Sequence, residues 1–263
     1  MNAERRRKLA ELLPEGVITI PSWLMKQGFS RVDIDNLVKS GVLTSLRHGV
    51  YVRGQFLAHW QAVVYALQAI MHEKPVVGGL TALEIQGFAH YLPLSEVKTV
   101  HLYSREKQPS WLNTVLPDVF VWHQDSALLG RNRGPYTANE KSLESFVTEK
   151  TWREDLAELV VSSPERALLE VLTEVPENIS FEHADQLMQG MTSLSPKKLQ
   201  KLLELSSNVK MKRVFFWLAD RHNYAWLSQL NKSRIDFGKG NRMLVKGGKL
   251  DKRYLITVPE LYE

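Results

Sequence analysis

Between Pro21 and Gly54 the chain reads PSWLMKQGFSRVDIDNLVKSGVLTSLRHGVYVRG, and this stretch decides the fold. Pro21 suits the start of a helix, and Gly28 suits the left-handed residue that closes it at Gln27. Ser30 stands where an N-cap belongs, with Asp33 three residues on as a short-armed capping-box partner. On the helix that follows, Ile34, Leu37, Val38 and Gly41 share one face and are expected to pack inward. Val32, Asn36 and Lys39 lie roughly opposite, with Arg31 on the exposed N-terminal flank. Gly41 stops the helix. Val42 to Leu46 and Val50 to Val52 then read as two short strands joined at Arg47-His48-Gly49. Helix, turn, helix and a basic-tipped hairpin form a winged helix-turn-helix, which lays its second helix in the major groove of DNA.

The outward residues have the chemistry for such a role. Asn36 can bond adenine at two points, and Val32 can meet a thymine methyl. Arg31, Lys39, Arg47 and Arg53 can hold phosphates, which set register rather than sequence. Ser30 at the helix start and His48 at the hairpin tip complete the candidate DNA-contacting set. A helical module that contacts protein is the competing reading. Upstream, Arg5-Arg6-Arg7-Lys8 is either added positive charge or a solvated helix end.

A chain of 263 residues has room for a winged helix-turn-helix over 1–54 and a further domain over 55–263, with a change of pattern near 160 marking a subdivision. It has no cysteine, which excludes disulfides, thiolate zinc sites and cysteine nucleophiles and fits a reducing compartment. Met1 to Leu13 lacks the apolar segment of a signal peptide, and runs such as Val214 to Ala219 are far too short to span a membrane. A cytoplasmic location with no membrane partner is therefore expected. The charge is uneven. Residues 1–53 hold nine Lys/Arg against five Asp/Glu, 54–192 ten against eighteen, and 193–263 fifteen against six. Basic ends around an acidic middle point to two separate polyanion-facing surfaces, or to ordinary solvated helices and hairpins.

Taken in order, Ala3 to Leu13 reads as a helix and Val17 to Ile20 as an extended segment. A helix from about Phe56 to Glu73 keeps Leu57, Trp60, Val64, Leu67 and Ile70 at helical spacing. Pro75 to Val77 reads as a strand, and Gly78 to Thr81 as a turn into a short helix ending at Ile85. Val97 to Tyr103 and Val119 to His123 have strand composition, while 140–158 is acidic and either a surface segment or a helix. Ser163 then N-caps a helix with Pro164 at its first position and Ala167, Leu168, Val171 and Leu172 buried. Helices follow over Phe181 to Gln189, Pro196 to Leu205 and Val209 to His222, and 234–258 looks like β-hairpin material. The expected class is α+β: a winged helix-turn-helix followed by a mixed α/β C-terminal domain.

Catalytic signatures are sparse. The eight histidines include no pair at metal-ligand spacing, and no GxxxxGK[ST] loop occurs. Glu96-Val97-Lys98 has the ExK spacing of metal-dependent nucleases, but the usual preceding acid is missing because Pro117-Asp118 comes after it. No catalytic residue, metal ligand or cofactor is assigned, and the chain reads as non-enzymatic. The C-terminal cations stand out instead. Lys210, Lys212, Arg213 and Arg221 share a helix, where Lys210, Arg213, Trp217 and Arg221 could form a stripe; the hairpin adds Lys239, Arg242, Lys246, Lys249, Lys252 and Arg253. Trp217 itself is more readily a core anchor than a stacking platform.

The ordered set of QGFSRVDIDNLVKSGVLTSLRHGVYVRG, GGLTALEIQGFAHYLP, SSPERALLEVL, NVKMKRVFFWLAD and DFGKGNRMLVKGGKLDKRYLITVP resembles the AbiEi family, antitoxins of type IV abortive-infection toxin–antitoxin systems. The resemblance covers nearly the whole chain. It implies a repressor whose winged helix binds inverted repeats in double-stranded promoter DNA of its own operon. It also implies an antitoxin domain that counteracts a nucleotidyltransferase-like toxin without forming a stable complex. Carried onto this sequence, DNA contact falls to Arg31, Asn36, Lys39, Arg47 and the wing around His48. The second basic set, Lys210, Lys212, Arg213, Arg221, Lys239, Arg242, Lys249 and Arg253, goes with antitoxicity or assists DNA binding. A stand-alone winged-helix regulator with a ligand- or partner-sensing C-terminal domain is the alternative, and a nucleic-acid-processing enzyme built on Glu96 a further one.

Overall fold

Helix α1 (Ala3–Leu12), strand β1 (Ile18–Thr19), helices α2 (Pro21–Lys26) and α3 (Arg31–Lys39), and strands β2 (Leu43–Arg47) and β3 (Val50–Arg53) form the N-terminal module. The computed structural model describes residues 3–56, 59–71, 75–88, 99–124, 128, 145–154, 156 and 158–260. The strands form an antiparallel sheet in the order β1-β3-β2, with Ile18 opposite Val52 and Thr44 opposite Val52 on the other side. Leu9, Leu13, Ile18, Leu24, Phe29, Ile34, Leu37, Leu43, Val50 and Val52 are buried. At about 1.5–3 kcal/mol for each large apolar side chain removed from water, this cluster drives the folding of the module. Wing and helix-turn-helix are thus as the sequence reads.

The described residues fall into two compact units. One is drawn from 1–76, 98–122 and 149–160, the other from 77–97, 123–148 and 161–263. Beyond the wing, the first includes α4 (Trp60–Tyr65) and a π-helical stretch, Ala66–Ile70, where an unbroken α-helix was expected. Gln68 on that stretch donates to the carbonyls of Pro75 (2.7 Å) and Val160 (3.0 Å) and accepts from the Val160 N–H (3.0 Å). Five short strands follow: β4 (Val76–Val77), β5 (Val100–Ser104), β6 (Phe120–Gln124), β7 (Val147–Lys150) and β8 (Leu159–Ser162). They pair in the order β6-β5-β4-β8-β7, with β4 and β8 parallel. β7, β8 and the short helix α6 (Leu112–Val115) have no counterpart in the sequence reading. Helix α5 (Gly79–Ile85) begins on the glycine pair itself rather than after a turn. Glu96 and Lys98 lie outside the described residues, as do 89–93 of the GGLTALEIQGFAHYLP segment.

The second unit is organised on α7 (Pro164–Thr173), with α8 (Phe181–Gln189), α9 (Pro196–Leu205) and α10 (Val209–Ala219). Helix α7 packs against α5, α9 and α10. Ser163 occupies its N-cap position, but the hydroxyl makes no cap bond and is buried without a partner. Its buried surface is wider than the expected stripe and takes in Glu165, Arg166 and Glu170. The Glu170 carboxylate accepts from the Arg166 guanidinium (2.7 Å), the Ser162 hydroxyl (3.1 Å) and the Gly79 N–H (2.9 Å). An ion pair taken from water holds only when such bonds satisfy it. The C-terminal hairpin is small: β9 (Lys249–Asp251) against β10 (Ile256–Val258). Residues 235–248, expected as earlier hairpin strands, form only an isolated bridge between Arg242 and Ile256, and two 3-10 turns, Leu227–Gln229 and Lys232–Arg234, precede them.

Candidate nucleic-acid interface

Local rules fix the geometry of α3. The Ser30 hydroxyl accepts from the Asp33 N–H (3.1 Å), and the Asp33 carboxylate accepts from the Ser30 N–H (2.8 Å) and hydroxyl (2.8 Å). These bonds from Ser30, then the charge of Arg5, hold the Asp33 carboxyl below the usual range. Helix α2 ends in a Schellman motif: Gly28 N–H to Met25 O and Phe29 N–H to Leu24 O, with Gly28 at φ +85°. Helix α3 ends the same way, Gly41 N–H to Val38 O and Val42 N–H to Leu37 O. Both ends of the candidate recognition helix are therefore set by bonds written into adjacent residues.

Along α3 the expected inward face holds at Ile34 and Leu37, while Val38 is half-buried and Gly41, past the helix end, is exposed rather than packed inward. Ile34 and Leu37 are buried, Val32 is 67% exposed, Arg31 and Lys39 are exposed, and Asn36 is half-buried. Val32 is fully on the solvent side of α3, where a single exposed valine is in itself ordinary. Ser30 is exposed, but both its polar atoms are engaged in the cap. In the wing, His48 is exposed at the tip, while Arg47 is half-buried and donates to the Thr114 hydroxyl on α6. The Arg47 Nε is buried without a partner. Arg53 is turned inward, its Nε donating to the Leu13 carbonyl at the end of α1. Arg47 and Arg53 thus each spend one guanidinium N–H on a contact within the first compact unit.

The second basic set does not survive as a stripe. Lys212 is 2% exposed and donates to the Ser206 carbonyl (3.0 Å). Arg213 is 1% exposed and donates to the carbonyls of Phe237 (2.9 Å), Gly240 (2.7 Å) and Leu255 (3.1 Å). Both were expected on a surface and both are interior, because α10 is buried on every side from Met211 to Ala219. Burial, then the neighbouring Arg242 charge, pulls the Arg213 pKa down. Trp217 is core, edge-on to Phe181 at 5.4 Å. Lys210 pairs with Glu177 (2.7 Å), while Arg221 lies over the Trp217 ring (5.2 Å) and 3.8 Å from Asp185. Lys239, Arg242, Lys249 and Arg253 are exposed, Arg253 pairing with Asp220 at 2.7 Å. Among the described residues no group of three or more His, Asp or Glu could hold a metal ion, and no helix is long and apolar enough to cross a membrane.

Residues 2–94 match a family model described as "Transcriptional regulator, AbiEi antitoxin N-terminal domain", and residues 97–259 match one described as "Transcriptional regulator, AbiEi antitoxin, Type IV TA system". The chain belongs to the AbiEi antitoxin family. As an AbiEi chain it carries the transcriptional-regulator and type IV antitoxin descriptions over nearly its full length. No curated protein matches it in sequence. The crystal structure of the RV2827C protein from Mycobacterium tuberculosis has a similar fold, with a TM-score of 0.51 at 16% identity over 97% of this chain and 90% of that one. In this AbiEi chain, sequence reasoning missed the engagement of Arg5 and Lys8 with the turn between α2 and α3. Only their proximity to the helix-turn-helix in sequence hinted at it.

Proposed function

We propose that this chain represses its own operon by binding inverted repeats in the promoter, one copy per half-site, and that it counteracts a nucleotidyltransferase-like toxin without a stable complex. The observation that carries the DNA-binding half is α3 itself: capped at both ends, apolar inside, with Arg31, Val32, Asn36 and Lys39 along its outward side. A short helix reads few base pairs, so two half-sites are needed for useful specificity. Asn36 and Val32 read bases, Arg31 and Lys39 hold phosphates, and His48 follows the wing toward the neighbouring backbone. The protein acts by binding, not by catalysis, in the cytoplasm where its promoter is.

For the antitoxic half, the exposed cations Lys239, Arg242, Lys249 and Arg253 replace the original larger set. Arg213 supports that segment from beneath through the Phe237, Gly240 and Leu255 carbonyls, while Lys212 is buried on the Ser206 carbonyl. The test is a promoter–reporter strain combined with co-expression of the toxin encoded beside this chain. Repression should be lost on Lys39→Ala, while toxin rescue should be lost on substituting the four exposed C-terminal cations. Repression that survives removal of residues 1–54 would refute the first assignment. Rescue that survives removal of the four cations would refute the second.

A further inference from the structure

The Arg5-Arg6-Arg7-Lys8 run on α1 does not simply solvate a helix end. Lys8 Nζ donates to the Gln27 carbonyl (2.6 Å), and Arg5 donates to the Gly28 carbonyl (3.1 Å). Those carbonyls lie at the end of α2, where the helix dipole leaves partial negative charge and unspent acceptors. Both cations also lie over the Phe29 ring, Lys8 at 5.4 Å and Arg5 at 5.8 Å, and Phe29 is itself buried. Arg5 comes within 3.8 Å of Asp33, the carboxylate that closes the α3 capping box. A Cβ at Gly28 would meet the Lys8 ammonium at 3.3 Å, so the cation is seated directly on the turn. Arg6 and Arg7 differ: both are exposed, and Arg7 pairs with Glu11 on its own helix at 3.0 Å.

We propose that Arg5 and Lys8 are positioning residues for DNA binding: they clamp the turn between α2 and α3 and so set the approach of α3, without touching DNA. The turn is short, and the angle of α3 depends on where Gln27, Gly28, Phe29 and Asp33 are held. Two cations spanning those residues from α1 fix them together. With α1 tied at its other end by Arg53 on the Leu13 carbonyl, the helix acts as a brace across the module. The inference rests on the proposed use of α3 against DNA. It differs from that reading in assigning these cations a role that salt cannot screen in the manner of a phosphate contact.

The experiment compares wild type with Arg5→Ala/Lys8→Ala by fluorescence anisotropy, using the DNA immediately upstream of this chain's coding sequence at about 50–200 mM salt. Amide exchange over residues 28–36 is followed in the same proteins. The double variant should bind about tenfold more weakly with an unchanged slope of log K against log salt, and exchange over 28–36 should quicken. Arg5→Lys/Lys8→Arg should restore most of both. A slope shallower by about two would overturn the proposal by making them phosphate contacts. Unchanged affinity and exchange would overturn it by making them a solvated helix end. If wild type fails to bind this DNA, the proposed function falls alone; exchange then decides the clamp, quickening supporting it and no change overturning it.

Discussion

Replacing Arg213 with Met should destabilise the C-terminal unit, and the size of the effect can be worked from the three carbonyls it serves. Met fills much of the same volume but supplies no donor. The Phe237 carbonyl then loses its partner in a half-buried place. The Gly240 carbonyl is on an exposed residue and water can reach it. The Leu255 carbonyl keeps the Arg242 N–H at 2.8 Å. A charge-assisted bond contributes about 1.5–3 kcal/mol and a stranded buried acceptor costs about 1–3 kcal/mol, while removing a buried charge returns part of this. The net loss should be about 2–4 kcal/mol, which for a unit of this size lowers Tm by roughly 5–15 °C. Thermal melting by circular dichroism measures it, and Arg213→Lys, with one donor point in place of a fork, should fall between. A Tm within about 2 °C of wild type for Arg213→Met, together with lost toxin rescue, would refute the burial argument and return Arg213 to the surface.

Two further outcomes follow from the buried and half-buried acids. Glu170→Gln keeps the shape but leaves Arg166 buried beside a neutral amide, so urea denaturation should show a loss of about 3–5 kcal/mol. Glu174 has its pKa pulled down to about 2, first by its hydrogen bond with His123 and then, against the opposing effect of burial, by Asn178, the His123 charge and Thr173. A carboxyl depressed in the folded state stabilises above its unfolded pKa, so this contribution is complete above about pH 5 and is lost as pH falls toward 2. Unfolding free energy measured from pH 7 to pH 3 should therefore decline more steeply in wild type than in Glu174→Gln; parallel curves would contradict the assignment.

The N-terminal module was legible because its signals are local. Pro21, Gly28, Ser30, Asp33 and Gly41 each meet a geometric demand within a turn of where they stand, and the structure uses all five. The helices at Phe181–Gln189 and Pro196–Leu205 stand where the sequence reading put them, each capped by a serine, Ser180 and Ser195, that accepts from the N–H three residues on. β7 and β8 were hidden because Val147–Lys150 and Leu159–Ser162 are short strands at the edge of an acidic stretch, too brief to show a period. The C-terminal stripe failed for a different reason. Helical spacing correctly relates Lys210, Arg213, Trp217 and Arg221, but it does not say which side faces water. The run VFFWLA was the available clue, since a helix apolar all round is buried and takes its cations with it. Arg5, Lys8, Arg47 and Arg53 show the same limit: composition counts a cation as surface charge, while the structure aims it at a particular carbonyl or hydroxyl.

The most direct test is a competition titration of promoter DNA against a scrambled duplex of equal length and composition. Wild type should prefer the promoter by about 1,000-fold or more at physiological salt. Asn36→Ala should narrow that ratio by about five- to 150-fold, the equivalent of 1–3 kcal/mol for a bidentate base contact, and Lys39→Ala should weaken both duplexes alike. Equal affinity of the wild-type protein for the two duplexes, or a ratio that Asn36→Ala leaves unmoved, would contradict the account.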